Sequence, residues 1–224
     1  MMKRSAVFFR LVILVLMACT NVPDAISAEG FVYLSNDPVE IDSSLKKDYR
    51  TAFLMVYNKL DDLHECDIKL KGKKLKTTMA ARPTFFSFFR RKDKRKYVIV
   101  YNNDPDFKGV KPYDVPEQAR VGLFAHELMH VRDYQSLSFG GLVKRGWQYM
   151  SKRGKRNLEH RIDSMTIAAG FGEELFYWSY FVLFDSYATA GYKMFKRDVY
   201  LTPKDILNSM EEKDFAEHFD LDLN

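Results

Sequence analysis

Cysteine is almost missing from this chain: Cys19 and Cys66 are the only two in 224 residues. Two thiols cannot build a disulfide framework, and Cys19 lies inside a candidate export signal. Pairing it with Cys66 would require that signal to be retained, so no disulfide is expected and Cys66 reads as a buried free thiol. Long apolar runs are missing too. Residues 11–18 (LVILVLMA) form an uninterrupted apolar stretch, but one too short to cross a bilayer as a helix. No repeat recurs at solenoid periods and no segment is of low complexity. Neither sign of charge dominates, with 35 basic against 30 acidic residues and a net charge of +5. Without residues 1–28 the balance is 32 against 29, or +3. That does not argue for nucleic acid, and the basic clusters at 69–76, 90–96 and 152–156 lack a nucleic-acid motif around them. They read as solvated loops, with contact to an anionic membrane surface as the sharper alternative.

What is present supports one compact domain: 46% of the residues are hydrophobic and 15% aromatic. Ahead of that domain, Lys3, Arg4 and Arg10 flank the apolar run as they do in a signal peptide. Residues 1–28 are thus expected to be an export signal, with cleavage after Ala28 or, in a lipoprotein, before Cys19. A lipid on Cys19 would tie the protein to a membrane. The expected location is the bacterial cell envelope, as a lipoprotein or in the periplasm, or outside the cell, and the domain is then 29–224.

Along the domain, residues 29–42 look like an extended arm. Asp42 or Ser43 can cap a helix over 44–63, with Leu45, Tyr49, Phe53, Val56 and Leu60 at helical spacing. Residues 74–101 read as strands, including 84–89 and the strongly β-forming 97–101, with the charged 90–96 as an exposed hairpin tip. From Pro116 the pattern turns helical: one helix through Tyr134, one over 155–169 stopped by Gly170 and Gly172, and an aromatic one over 173–187. The last is read as a core or domain-surface helix. Thr202-Pro203 opens a final short helix. The order is helix, small sheet, then several helices, an α+β architecture.

The chemistry centres on His126-Glu127-Leu128-Met129-His130. Residues four apart share a helix face, so both imidazoles can meet one ion. Glu127 sits beside that face, where it can take a proton from water without being a ligand. A catalytic zinc ion needs a third protein ligand and an open position. The spacing that would bring Gly and His to 133 and 136 is excluded, since Asp133 and Ser136 stand there. Downstream, Glu159 and Asp163 are again four apart on a predicted helix. Glu159 can complete the ligand set, and Asp163 can hold the outer nitrogen of a zinc histidine and fix its tautomer. His160 is the alternative third ligand, pointing about 100° away around the helix. Asp133, three residues past His130, can help orient that ring or simply face solvent.

This pattern, HExxH followed by a helix bearing ExxxD, resembles the gluzincins, the thermolysin-like zinc peptidases, in a minimal form. The likeness covers about residues 115–170. It implies a zincin-like single domain, with a small mixed sheet, an active-site helix and a helical C-terminal part. It further implies Zn2+ on His126, His130 and Glu159, Glu127 as general base, Asp163 behind a zinc histidine, and a peptide or protein substrate. Gluzincins also use a Tyr or His to stabilise the oxyanion, and Tyr192, Tyr200 and His218 are all candidates. Residues 97–101 could be the edge strand that binds substrate, or plain sheet core. The competing expectations are a zinc-stabilised envelope binding lipoprotein without catalysis, and a structural envelope protein without metal.

Overall fold

The structure is a computed structural model and describes residues 31–33 and 39–218. The candidate signal, with Cys19 and both cleavage positions, lies outside the described residues.

The strand 97–101 explains the sheet's interior. Lys96–Asn102 forms β5, and every residue from Tyr97 to Asn102 is buried. Such a continuous apolar run suits a strand covered on both faces. It lies between β3 (Asp67–Lys73), which runs parallel to it, and β4 (Met79–Pro83), which runs antiparallel. With β1 (Phe31–Tyr33) and β2 (Val39–Asp42), the sheet order is β1-β2-β3-β5-β4. The free edge beyond β5 is therefore β4, and residues 97–101 are sheet core, the second of the two expectations.

Two parts of the sheet depart from the sequence reading. The Lys-rich stretch from 69 begins inside β3 and not in a solvated loop. Ile68 and Leu70 point inward there while Lys69 and Lys71 alternate with them at the two-residue period of a strand. Lys69 also pairs with Glu40 on β2 at 2.9 Å. Residues 84–89 are no strand: Phe86–Phe89 forms a 3-10 turn in the connection from β4 to β5. The rest of that connection is exposed, as a hairpin tip should be, apart from Arg95. Arg95 is 4% exposed and donates to the backbone carbonyls of Tyr134 and Leu137 at 3.0 and 2.7 Å.

Helix α1 (Lys47–Tyr57) is shorter than expected and ends in a separate 3-10 turn, Asp61–Leu63. Its Tyr49 and Phe53 meet Phe124 edge-on at 6.0 and 5.7 Å. Phe124 belongs to α2 (Glu117–Ser136), the longest of the described helices. Burying one such ring stabilises the fold by roughly 2 to 3 kcal/mol. Helix α2 packs on β4 and α1, and on its other side against α5 (Gly172–Tyr180). At Gly122, one turn before His126, a β-carbon would fall on the Glu174 carbonyl of α5. Glycine here lets two helix backbones touch.

The C-terminal part adds α3 (Phe139–Tyr149) and α4 (Lys152–Thr166), both started by serine caps. Ser138 accepts from Gly141 N–H, and Ser151 from Gly154 N–H. Each cap contributes about 1 kcal/mol. After α4 the chain kinks at Gly170, whose φ of 86° suits glycine, and continues into α5. A π-helical turn, Phe181–Asp185, ends the aromatic segment. Helices α6 (Ala190–Val199) and α7 (Pro203–His218) follow. The result is a mixed α+β domain with a small sheet, mostly helical in content, around one continuous core.

Candidate metal centre

Three donor atoms from two helices converge in the interior. Helix α2 supplies His126 and His130, and α4 supplies Glu159; they are 4, 5 and 2% exposed. The two histidine Nε2 atoms lie 3.2 Å apart, and Glu159 Oε2 is 3.3 and 3.2 Å from them. Four-coordinate metal–nitrogen and metal–oxygen bonds of about 2.0–2.1 Å give tetrahedral edges of about 3.3–3.4 Å. The three atoms thus outline one face of such a tetrahedron. Glu159 Oε2 and His130 Nδ1 have no hydrogen-bond partner. A carboxylate oxygen and two ring nitrogens so placed could hold a cation between them. Among the described residues this is the one group of three or more His, Cys, Asp or Glu side chains that can hold a metal ion.

The neighbours fix these donors. Asp163, one turn after Glu159 on α4, accepts from His126 Nδ1 at 2.8 Å through Oδ1. Its Oδ2 accepts from the Leu201 N–H at 2.9 Å, in the link between α6 and α7. With Nδ1 carrying the proton, His126 presents the Nε2 lone pair to the site. Burial pulls the His126 pKa down, but Asp163 and Glu159 outweigh it and push it up to about 10. Without a metal, the two carboxylates thus favour the protonated form of His126. Burial works against ionised Glu159, yet the two imidazoles hold its carboxyl well below the usual range. The other Glu159 oxygen, Oε1, accepts from the Tyr149 hydroxyl at 3.2 Å.

Glu127 is 4% exposed and its Oε2 is buried without a partner. Two phenols stand close to the histidines. Tyr200 lies with its ring centroid 5.6 Å from that of His126. Burial, then Glu159 and Glu127, raise its pKa well above the ordinary tyrosine value, so it stays a hydrogen-bond donor. Lys196 Nζ lies 3.9 Å from the Tyr200 ring centroid and helps to seat the ring. Tyr134 stacks on His130 at 6.1 Å and is hydrogen-bonded to Tyr149.

Of the residues picked out in sequence, His126, His130, Glu159 and Asp163 come together here, and Glu127, next to His126 on α2, is buried. Among the three oxyanion candidates, Tyr200 joins them. Tyr192 instead shares a hydrogen bond with Thr78 at 3.0 Å, and the His218 side chain lies outside the described residues. His160 turns away and accepts from Arg156 at 3.4 Å. Asp133 does not orient His130. It is buried at 1% exposure in a two-pronged pair with Arg145, at 2.7 and 2.8 Å, and Arg161 lies 3.4 Å away. Tyr134 and Tyr149 were missed. Helical spacing could have found Tyr134, four residues after His130, whereas nothing in the chain marks Tyr149.

The sheet offers one more element. β4, which also packs against α2, ends the sheet, so one side of its backbone has no strand partner among the described residues. Comparisons with protein-family models, with curated proteins and with solved structures gave no match.

Proposed function

We propose that this protein is a zinc-dependent peptidase of the zincin type, with His126, His130 and Glu159 as metal ligands. The observation that carries the reading is the tetrahedral face of three buried donor atoms, on a helix where the residue after His126 is Glu127, a buried carboxylate with an unpartnered oxygen. Two imidazoles and a carboxylate suit zinc, and three protein ligands leave the fourth position that catalysis needs. When bound, zinc supplies a Lewis acid that activates water and polarises a carbonyl.

The chain's own groups would divide the remaining work. Glu127 Oε2 takes the proton of the attacking water and later gives it to the leaving amine, a role for which a buried acceptor without other bonds is prepared. The Tyr200 hydroxyl, kept protonated, can donate to the oxygen that gains charge as the carbonyl is attacked. Asp163 and Tyr149 hold His126 and Glu159 in place. An extended peptide can add to the free edge of β4, which recognises backbone more than side chain. The N-terminal sequence pattern favours action in the cell envelope or outside the cell.

The test is Glu127→Gln, assayed with a mixed peptide pool and for bound zinc. Zinc should stay while hydrolysis falls by about 10²–10⁴-fold. Unchanged hydrolysis would reject the mechanism. Bound zinc without hydrolysis in either form would instead favour a metal-stabilised binding protein.

A further inference from the structure

The basic cluster at 90–96 and the phenylalanines before it play no part in the chemistry above, and the fold joins them to a second segment of like composition. Phe85, Phe86 and Phe89 are 36, 71 and 52% exposed, and Phe139 at the start of α3 is 48% exposed. Phe89 meets Phe139 at 6.0 Å, and the buried Phe88 meets it at 5.5 Å, so the rings form one cluster across two segments. Acid is scarce in both. Residues 84–96 hold six basic side chains and one acid, Asp93, which pairs with Arg91 at 3.3 Å. From Tyr134 to Leu158 there are six Lys or Arg and no Asp or Glu. Arg145 is taken by Asp133, and Trp147 and Met150 of this stretch are 42 and 51% exposed.

Soluble surfaces seldom gather exposed phenylalanines in one cluster, and such a patch marks an interaction site. The exposed cations that follow the phenylalanines in the same connection, Arg90, Lys92 and Lys94, decide among partners. Apolar rings edged by Lys and Arg, almost free of acid, complement a layer whose outside is anionic and whose inside is apolar. We propose that this face, built from residues 84–96 and α3, docks on the surface of an anionic lipid bilayer. Phe86, Phe89 and Phe139 enter the headgroup boundary, and Arg90, Lys92 and Lys94 meet lipid phosphates and carboxylates. No described helix is long and apolar enough to cross a membrane, so this contact lies along the surface. Arg95, which ties the same connection to the C-terminal end of α2, couples the docked face to the metal-binding helix.

The experiment is amide hydrogen exchange on the full chain with vesicles of phosphatidylcholine, alone or with roughly one phosphatidylserine in three lipids. Local exchange isolates this face from whatever the N-terminal segment does. Exchange in 84–95 and 138–147 should slow by about tenfold on the anionic vesicles and stay unchanged on the neutral ones. Two variants should each abolish the slowing: Phe86→Ser/Phe89→Ser/Phe139→Ser and Arg90→Glu/Lys92→Glu/Lys94→Glu. Buried Phe88 and Arg95 are left intact to preserve the fold, and the two sets are independent should one fail to fold. Lys108→Glu/Lys111→Glu, beyond the other end of β5, should keep it. No slowing, equal slowing on neutral vesicles, or slowing that survives either set would overturn the proposal. So would slowing that appears without vesicles as protein concentration rises, which would give the face to a second copy of this chain.

Discussion

Helices α2 and α4 meet at the same three donor atoms, yet their surroundings differ. Helix α2 is buried almost all round over residues 121–131, touching sheet, α1 and α5. Helix α4 buries one stripe, Leu158, Glu159, Ile162, Asp163 and Thr166, and leaves its opposite face to solvent. The first is positioned by packing of the whole helix on sheet, α1 and α5. The second holds its carboxylates by hydrogen bonds, to His126, Leu201 N–H and Tyr149. Substitutions should therefore cost fold on α2 and metal affinity on α4.

The largest effect should come from Gly122→Ala. The new methyl group meets the backbone of Glu174, which cannot turn aside as a side chain could, so α2 and α5 must separate. A loss of about 3 kcal/mol is expected, read from chemical denaturation of the zinc-free protein. A loss under about 0.5 kcal/mol, the range of ordinary surface changes, would break the claim that packing positions α2. On α4, Asp163→Asn should leave the fold intact and weaken zinc binding by about 10–100-fold, measured by competition with a chelator. His160→Ala, one residue from Glu159 but turned towards Arg156, should leave zinc affinity within about twofold. Equal losses from both would mean that the whole helix is needed, and not the bonded face.

The smallest effect sharpens the comparison through pH. His126 rises from 6.5 to about 10 in the metal-free fold. A raised histidine contributes stability that is fully present below pH 6.5 and is lost as pH climbs towards 10. Glu159 is shifted the other way, so its contribution is present above its ordinary value of 4.5 and is lost as pH falls through its lowered one. Metal-free stability should thus decline from pH 7 to 10 and the decline should vanish in His126→Ala. Denaturation across that range, on both forms, checks it.

The difference between the helices also decided how much the sequence could reveal. HExxH was legible because four-residue spacing is local geometry, and ExxxD because α4 is amphipathic around it. The role of Asp133 was not, since Arg145 and Arg161 reach it only after α3 and α4 fold back. Tyr149 approaches Glu159 across the turn between those helices, which no spacing rule encodes. In the sheet, β5 announced itself by its β-branched run. β3 was hidden because its lysines outnumber the two side chains that it buries. Aromatic content suggested a strand at 84–89, but those rings gather at a turn against Phe139.

The central claim is that His126, His130 and Glu159 form one zinc site, and zinc content tests it most directly. The protein would be purified without added metal, supplied with zinc, dialysed and analysed beside His126→Ala/His130→Ala. About one zinc per chain, lost in the variant, is the expected result. A wild-type protein that retains no zinc after it is supplied, or a variant that retains as much as wild type, would contradict the account.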